Sequence, residues 1–164
     1  MDIPERTERD ATDAGIADLV RKWYWSPLAF ANDIIPFGEI GTPFGKWNRL
    51  HSWIEDLLIE FEQILRARYE ASPDPRNPRL GNVGIAVGSG HGTGKSTALI
   101  PIVNSWALFT RPFTTGIVTA PQEDQLKARA WGDIRAMFEA VPILKRHFAT
   151  SNKRSKHTLS LIHI

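Results

Sequence analysis

The chain has 164 residues, 42% hydrophobic and 23% charged, with a formal net charge of +2. That length supports one core, and the near-balanced charge gives no argument by itself for a nucleic-acid partner. There is no cysteine, which excludes disulfides, cysteine–zinc sites and thiol catalysis.

The opening residues Met1-Asp2-Ile3-Pro4-Glu5-Arg6 are charged, and no apolar run approaches about 20 residues. A soluble, intracellular protein with no signal peptide and no membrane span is expected. Residues 14–24 can form a short helix. Pro27, Pro36, Gly38, Gly41, Pro43 and Gly45 then read as a loop, closing a lead-in over residues 1–47. From Asn48 to Tyr69, the residues Leu50, Trp53, Ile54, Leu57, Leu58, Phe61, Ile64 and Leu65 recur at helical spacing, so an amphipathic helix is predicted. Glu55, Asp56, Glu60 and Glu62 form its solvated face. The proline-rich stretch 71–78 cannot continue that helix and reads as a connector.

Val83-Gly84-Ile85-Ala86-Val87 reads as a buried strand, followed by a glycine-rich turn and Lys95-Ser96 opening a helix. This is the context of a phosphate-binding loop. Glycines let successive backbone N–H groups converge on phosphate oxygens, and the following helix turns the positive end of its dipole toward them. The expected ATP-binding set is Gly88, Ser89, Gly90, His91, Gly92, Thr93, Gly94, Lys95, Ser96 and Thr97. Lys95 would reach the β and γ phosphates, and the Ser96 hydroxyl would ligate Mg²⁺. The strict pattern G-x-x-x-x-G-K-[ST] places its first glycine where this chain has Ser89, between Gly88 and Gly90. The alternative reading is a glycine-rich strand-to-helix turn carrying an exposed lysine.

After the loop a helix is predicted from Gly94 to Phe109, with a kink at Pro101, which stands too deep inside it to be a first-turn proline. A second buried strand is predicted over residues 115–120, and an amphipathic helix from Gln122 to Ala140 carries Leu126, Ala130, Trp131, Ile134, Met137 and Phe138 inward. Together these predict an α/β fold of the P-loop NTPase, RecA/helicase-like kind: an incomplete parallel sheet flanked by helices, with a right-handed βαβ crossover, over residues 48–147. The stretch 148–164 reads as a basic tail. Its last residues, Leu159-Ser160-Leu161-Ile162-His163-Ile164, resemble a translated sequencing adaptor, or else form a further strand; on either reading a truncated chain is expected.

Two further segments carry a family resemblance. Thr119-Ala120-Pro121-Gln122-Glu123-Asp124-Gln125, followed by Lys127, Arg129 and Trp131, resembles the segment after the second strand of phage terminase large subunits and related helicases. Phe37-Gly38-Glu39-Ile40-Gly41-Thr42-Pro43, with Trp53 on the helix that follows, resembles the terminase lead-in. The resemblance covers roughly residues 27–147 and implies the ATPase part of a viral DNA-packaging motor. ATP and Mg²⁺ are the cofactors that it implies. The implied partners are double-stranded DNA, a portal and a small terminase subunit, in a homo-oligomeric ring in the host cytoplasm.

In terminases an aromatic-Gln pair beside the first helix helps to seat adenine, but here Trp53 is followed by Ile54, and a core role for Trp53 is the other reading. The loop arginine found four residues before the lysine in terminases is His91 in this chain. By resemblance His91 joins Lys95 as a catalytic residue, donating a hydrogen bond to phosphate while charged only part of the time near neutral pH. The alternative is a solvent-facing histidine. Downstream of the loop no apolar strand ends in Asp-Glu, so the acid pair that activates water is missing and no turnover is expected. A helicase-like or DNA-repair ATPase is the alternative function, a small-molecule kinase a third, and a non-catalytic interaction segment a fourth.

Overall fold

The computed structural model describes residues 15–72, 83–88, 90, 92–111, 114, 116–119 and 131–148. Helix α1 spans 15–23 and ends on Trp23, which is buried. Ser26 then caps helix α2, Pro27–Ile34: its Oγ accepts from the Ala29 N–H at 3.2 Å, and Pro27 takes the first turn, where its missing donor costs nothing. The proline-glycine stretch predicted as loop from Pro27 therefore opens with a helix. The Asp33 carboxylate receives Lys22 Nζ at 2.6 Å and the Trp23 indole N–H at 2.7 Å, fastening α1 to α2. The Lys22 contact first, and then the Trp23 hydrogen bond, hold the Asp33 pKa below its ordinary value.

Residues 35–50 form consecutive turns. Gly38 and Gly41 take left-handed φ values of 75° and 92°, and Phe44 is buried between Phe37 and Trp47, each meeting it edge-on. Helix α3, Ser52–Glu70, follows the predicted apolar pattern and buries Ile54, Leu58 and Leu65.

A π turn, Lys95–Leu99, runs into helix α4, Ile100–Thr110. In place of one helix kinked at an interior proline, a π turn comes first and Pro101 falls in the first turn of α4, for a definite reason. Pro101 has no N–H to give the Thr97 carbonyl in the α register, and its ring crowds that carbonyl. The chain upstream widens instead: the Leu99 N–H reaches Gly94 O at 3.1 Å and the Ile100 N–H reaches Lys95 O. No residue of α4 is exposed. Its polar residues satisfy themselves, Ser105 Oγ donating to Pro101 O at 2.6 Å and Thr110 Oγ1 to Trp106 O at 2.7 Å.

Helix α5, Gly132–Ala140, lays Ile134, Met137 and Phe138 toward the core and packs on both α4 and the π turn. Helix α6, Pro142–Phe148, follows and packs on α5, with Leu144 buried. At the far end of α4, the Arg111 guanidinium lies 4.0 Å from the Trp106 ring centroid and 4.6 Å from that of Tyr24, and donates to Tyr24 O at 3.0 Å. Burial lowers its pKa, and it remains a cation, well placed at a helix C-terminus.

The α/β expectation is overturned. Among the described residues the structure is helical, with no strand, no parallel sheet and no βαβ crossover. Residues 83–88 and 116–119 are not part of any strand. A strand exists only through a ladder partner, and a central parallel strand is covered on both faces. Here Val83, Val87 and Val118 pack on the core while Ile85 is 41% and Ile117 76% exposed. The predicted helix from Gln122 is described only from Trp131 onward. Residues 1–14, the adaptor-like end at 159–164 and most of the connector at 71–78 lie outside the described residues.

Trp23, Phe30 and Phe109 form one aromatic contact, with Trp23–Phe30 centroids 5.4 Å apart and Phe30 fully buried. Phe30→Ala is expected to cost about 3–5 kcal/mol in urea denaturation. Ile40→Ser, at a position 95% exposed, should change stability by no more than about 0.5 kcal/mol.

Candidate functional site

The glycine loop sits between the start of α3 and the π turn that leads into α4. Of the predicted binding set, Gly88, Gly90, Gly92, Thr93, Gly94, Lys95, Ser96 and Thr97 are described, and Ser89 and His91 lie outside the described residues. Gly92 and Gly94 have φ of 76° and 89°, the left-handed region that glycine enters without the Cβ clash of other residues. Gly94 is also closed in. A Cβ there would lie 3.0 Å from Trp47 Cη2, 3.3 Å from Ile54 Cδ1 and 3.4 Å from His51 Cδ2. Glycine is favoured here by its backbone hand, and any side chain would also have to displace Trp47, Ile54 and His51 by a few tenths of an ångström.

Four hydrogen bonds set the loop's shape. Thr93 Oγ1 donates to Gly90 O at 3.2 Å. The Trp53 indole N–H donates to Thr93 O at 3.1 Å across 40 positions of sequence. Gly94 O accepts from both Ala98 N, at 2.9 Å, and Leu99 N, joining the loop to the π turn. Lys95, Ser96 and Thr97 are all half-buried on that turn. Ser96 is also unusual in its main chain: Ile100 donates to Lys95 O instead, and residue 101 is a proline, so no helical N–H in the α or π register serves the Ser96 carbonyl.

The sequence reading placed Trp53 as a core residue or an adenine contact. The structure brings its indole edge to the loop, half-buried and packed against the core. It also brings in Asp133, which the sequence reading missed. The Thr97 hydroxyl hydrogen-bonds to the Asp133 carboxylate, in the first turn of α5. Burial raises the Asp133 pKa, and the Thr97 hydrogen bond partly opposes that. Neither contact has a local sequence signal, because each joins residues far apart in the chain.

The donor set fits a polyphosphate with Mg²⁺. Left-handed Gly92 and Gly94 precede a lysine and two hydroxyls, and a left-handed residue beside a right-handed one is the backbone pattern that can turn successive N–H groups toward one anion. Among the described residues no group of three or more His, Asp or Glu side chains could hold a metal by itself, so the Ser96 hydroxyl would share Mg²⁺ with phosphate oxygens, as Mg²⁺ commonly does. The apolar cleft of Ile16, Leu19, Phe109, Ile143 and Arg146 involves the opposite end of α4 and shares no residue with the loop.

No family model, curated protein or solved structure matches the chain. Among the described residues no helix is long and apolar enough to cross a membrane.

Gly94→Ala is expected to destabilise the chain by about 1–2 kcal/mol, read as a lowered urea midpoint. Asp133 carries a pH signature. Its folded pKa is raised, so the ionised carboxylate weakens the fold above that pKa, and the weakening is relieved as pH falls through it. Asp133→Asn should therefore melt no lower than the wild type at pH 7, with any advantage shrinking toward acid. A variant that melts markedly lower at pH 7 would contradict this account.

Proposed function

We propose that residues 88–97 bind the polyphosphate of ATP together with Mg²⁺, and that the chain is the ATP-binding part of a terminase large subunit. In the working motor, ATP hydrolysis would drive double-stranded DNA into a procapsid. The observation that carries the nucleotide reading is the conjunction of left-handed Gly92 and Gly94 with Lys95, Ser96 and Thr97 on the turn that opens α4. A Cβ on Gly94 would lie 3.0 to 3.4 Å from Trp47, Ile54 and His51, so the left-handed residue is packed closely against the turn and helix that precede the loop.

In this reading Lys95 meets the β and γ phosphates, the Ser96 hydroxyl holds Mg²⁺ and the loop N–H groups hold phosphate oxygens. When bound, Mg²⁺ neutralises charge on the transferring phosphoryl group. Asp133 keeps Thr97 oriented beside them. His91 is assigned to the γ phosphate by resemblance alone. The terminase reading is supported by the Thr119-Ala120-Pro121-Gln122 run and by the Phe37-to-Pro43 lead-in. It brings with it DNA, portal and small-subunit partners, a ring assembly and the host cytoplasm as the place of action.

Calorimetric titration of the 164-residue chain with Mg-ATP tests the nucleotide reading. Saturable binding is expected, weakened at least tenfold, or about 1.4 kcal/mol, in Lys95→Ala. No hydrolysis is expected, since no apolar strand ending in Asp-Glu follows the loop. Failure of the wild-type chain to bind at millimolar Mg-ATP would overturn the nucleotide reading. Turnover lost in Lys95→Ala would instead overturn the argument from the missing acid pair.

A further inference from the structure

The Trp53 indole reaches the loop edge-on. Its Nε1–H donates to the Thr93 carbonyl at 3.1 Å, and its ring is carried on the first turn of α3, a helix anchored by the fully buried Ile54 and Leu58. The donor is thus fixed to a rigid element. The described peptide bonds are trans, and in a trans peptide the C=O of one residue and the N–H of the next point in opposite directions. Drawing Thr93 O toward the Trp53 indole therefore turns the Gly94 N–H the other way. The flipped plane would present a carbonyl oxygen where an anion-binding loop needs a donor, and glycine-flanked peptides flip readily because φ of either sign is open to glycine.

Resting on the nucleotide reading, we infer that Trp53 is a positioning residue for phosphate: its indole N–H holds the Thr93–Gly94 peptide plane with the N–H side toward the polyphosphate. Aromatic residues near a nucleotide commonly offer a ring face to the base. Here the indole edge is committed to the loop carbonyl, and it is through that edge that Trp53 would act on the phosphates.

Two probes separate these roles: Mg-ATP, and Mg-tripolyphosphate, which has the phosphates and no base. Trp53→Phe keeps most of the ring packing and removes the donor. It should weaken both probes by the same factor, about three- to tenfold, the worth of one hydrogen bond. In the wild-type chain, the Trp53 indole and Gly94 amide NMR resonances should shift together as Mg-tripolyphosphate is added, a measurement that needs no variant to fold.

Weakening of Mg-ATP alone would overturn the inference in favour of a base contact. Constants for both probes within twofold of wild type would also overturn it, as would a Gly94 shift with the Trp53 resonance unmoved. In each of those outcomes the nucleotide reading survives. If the wild-type chain binds neither probe, the nucleotide reading itself falls, and this inference with it.

Discussion

Helix α4 has no exposed residue, and the arrangement of the chain follows from covering it on every side. Helix α2 and the α1 terminus supply Phe30 and Trp23 against Phe109; α3 supplies Phe61 against Trp106, with ring centroids 5.8 Å apart; α5 supplies Met137 against Ser105. Burial of this kind is the dominant favourable contribution to folding. It also gives the start of α4 a fixed position, and that is where the glycine loop, Lys95 and Ser96 are attached. Pro101 near that start imposes the π turn, so the same residue that shapes the helix also sets the register of the candidate site.

Local patterns were legible in the sequence. The helical spacing of Leu50 to Leu65 predicts α3, and the Ile134, Met137 and Phe138 pattern predicts the buried face of α5. Helical hydrogen bonds close within a few residues, so the sequence of one segment carries most of the information. The misreadings came from features that depend on distant partners. Val83 to Val87 is apolar enough to be a strand, but a strand needs a ladder that the run itself does not encode, and among the described residues none forms. Pro27 by itself reads as part of a loop; after Ser26 it is the first-turn proline of a capped helix, and which use applies depends on the apolar face that follows.

The candidate site divides along the same line. Its chemistry-bearing residues, Gly92, Gly94, Lys95, Ser96 and Thr97, stand consecutively enough to be found by eye. Its supports do not. Trp53 is 40 positions from Thr93, Trp47 and His51 close over Gly94 from the other side of α3's first turn, and Asp133 reaches Thr97 from α5. The loop is held by side chains that come from outside it, so its shape rests on packing contributed by α3, the turns before it and α5.

The central claim is that the anion site lies at residues 88–97 and not in the apolar cleft at the far end of α4. Amide chemical-shift mapping of the isotope-labelled chain with Mg-ATP tests it most directly. The account predicts that the largest shifts fall on Gly92, Gly94, Lys95, Ser96 and Thr97, with the amides around Ile16, Phe109 and Ile143 unmoved. Shifts concentrated at Ile16, Phe109 and Ile143, with the glycine loop silent, would contradict it.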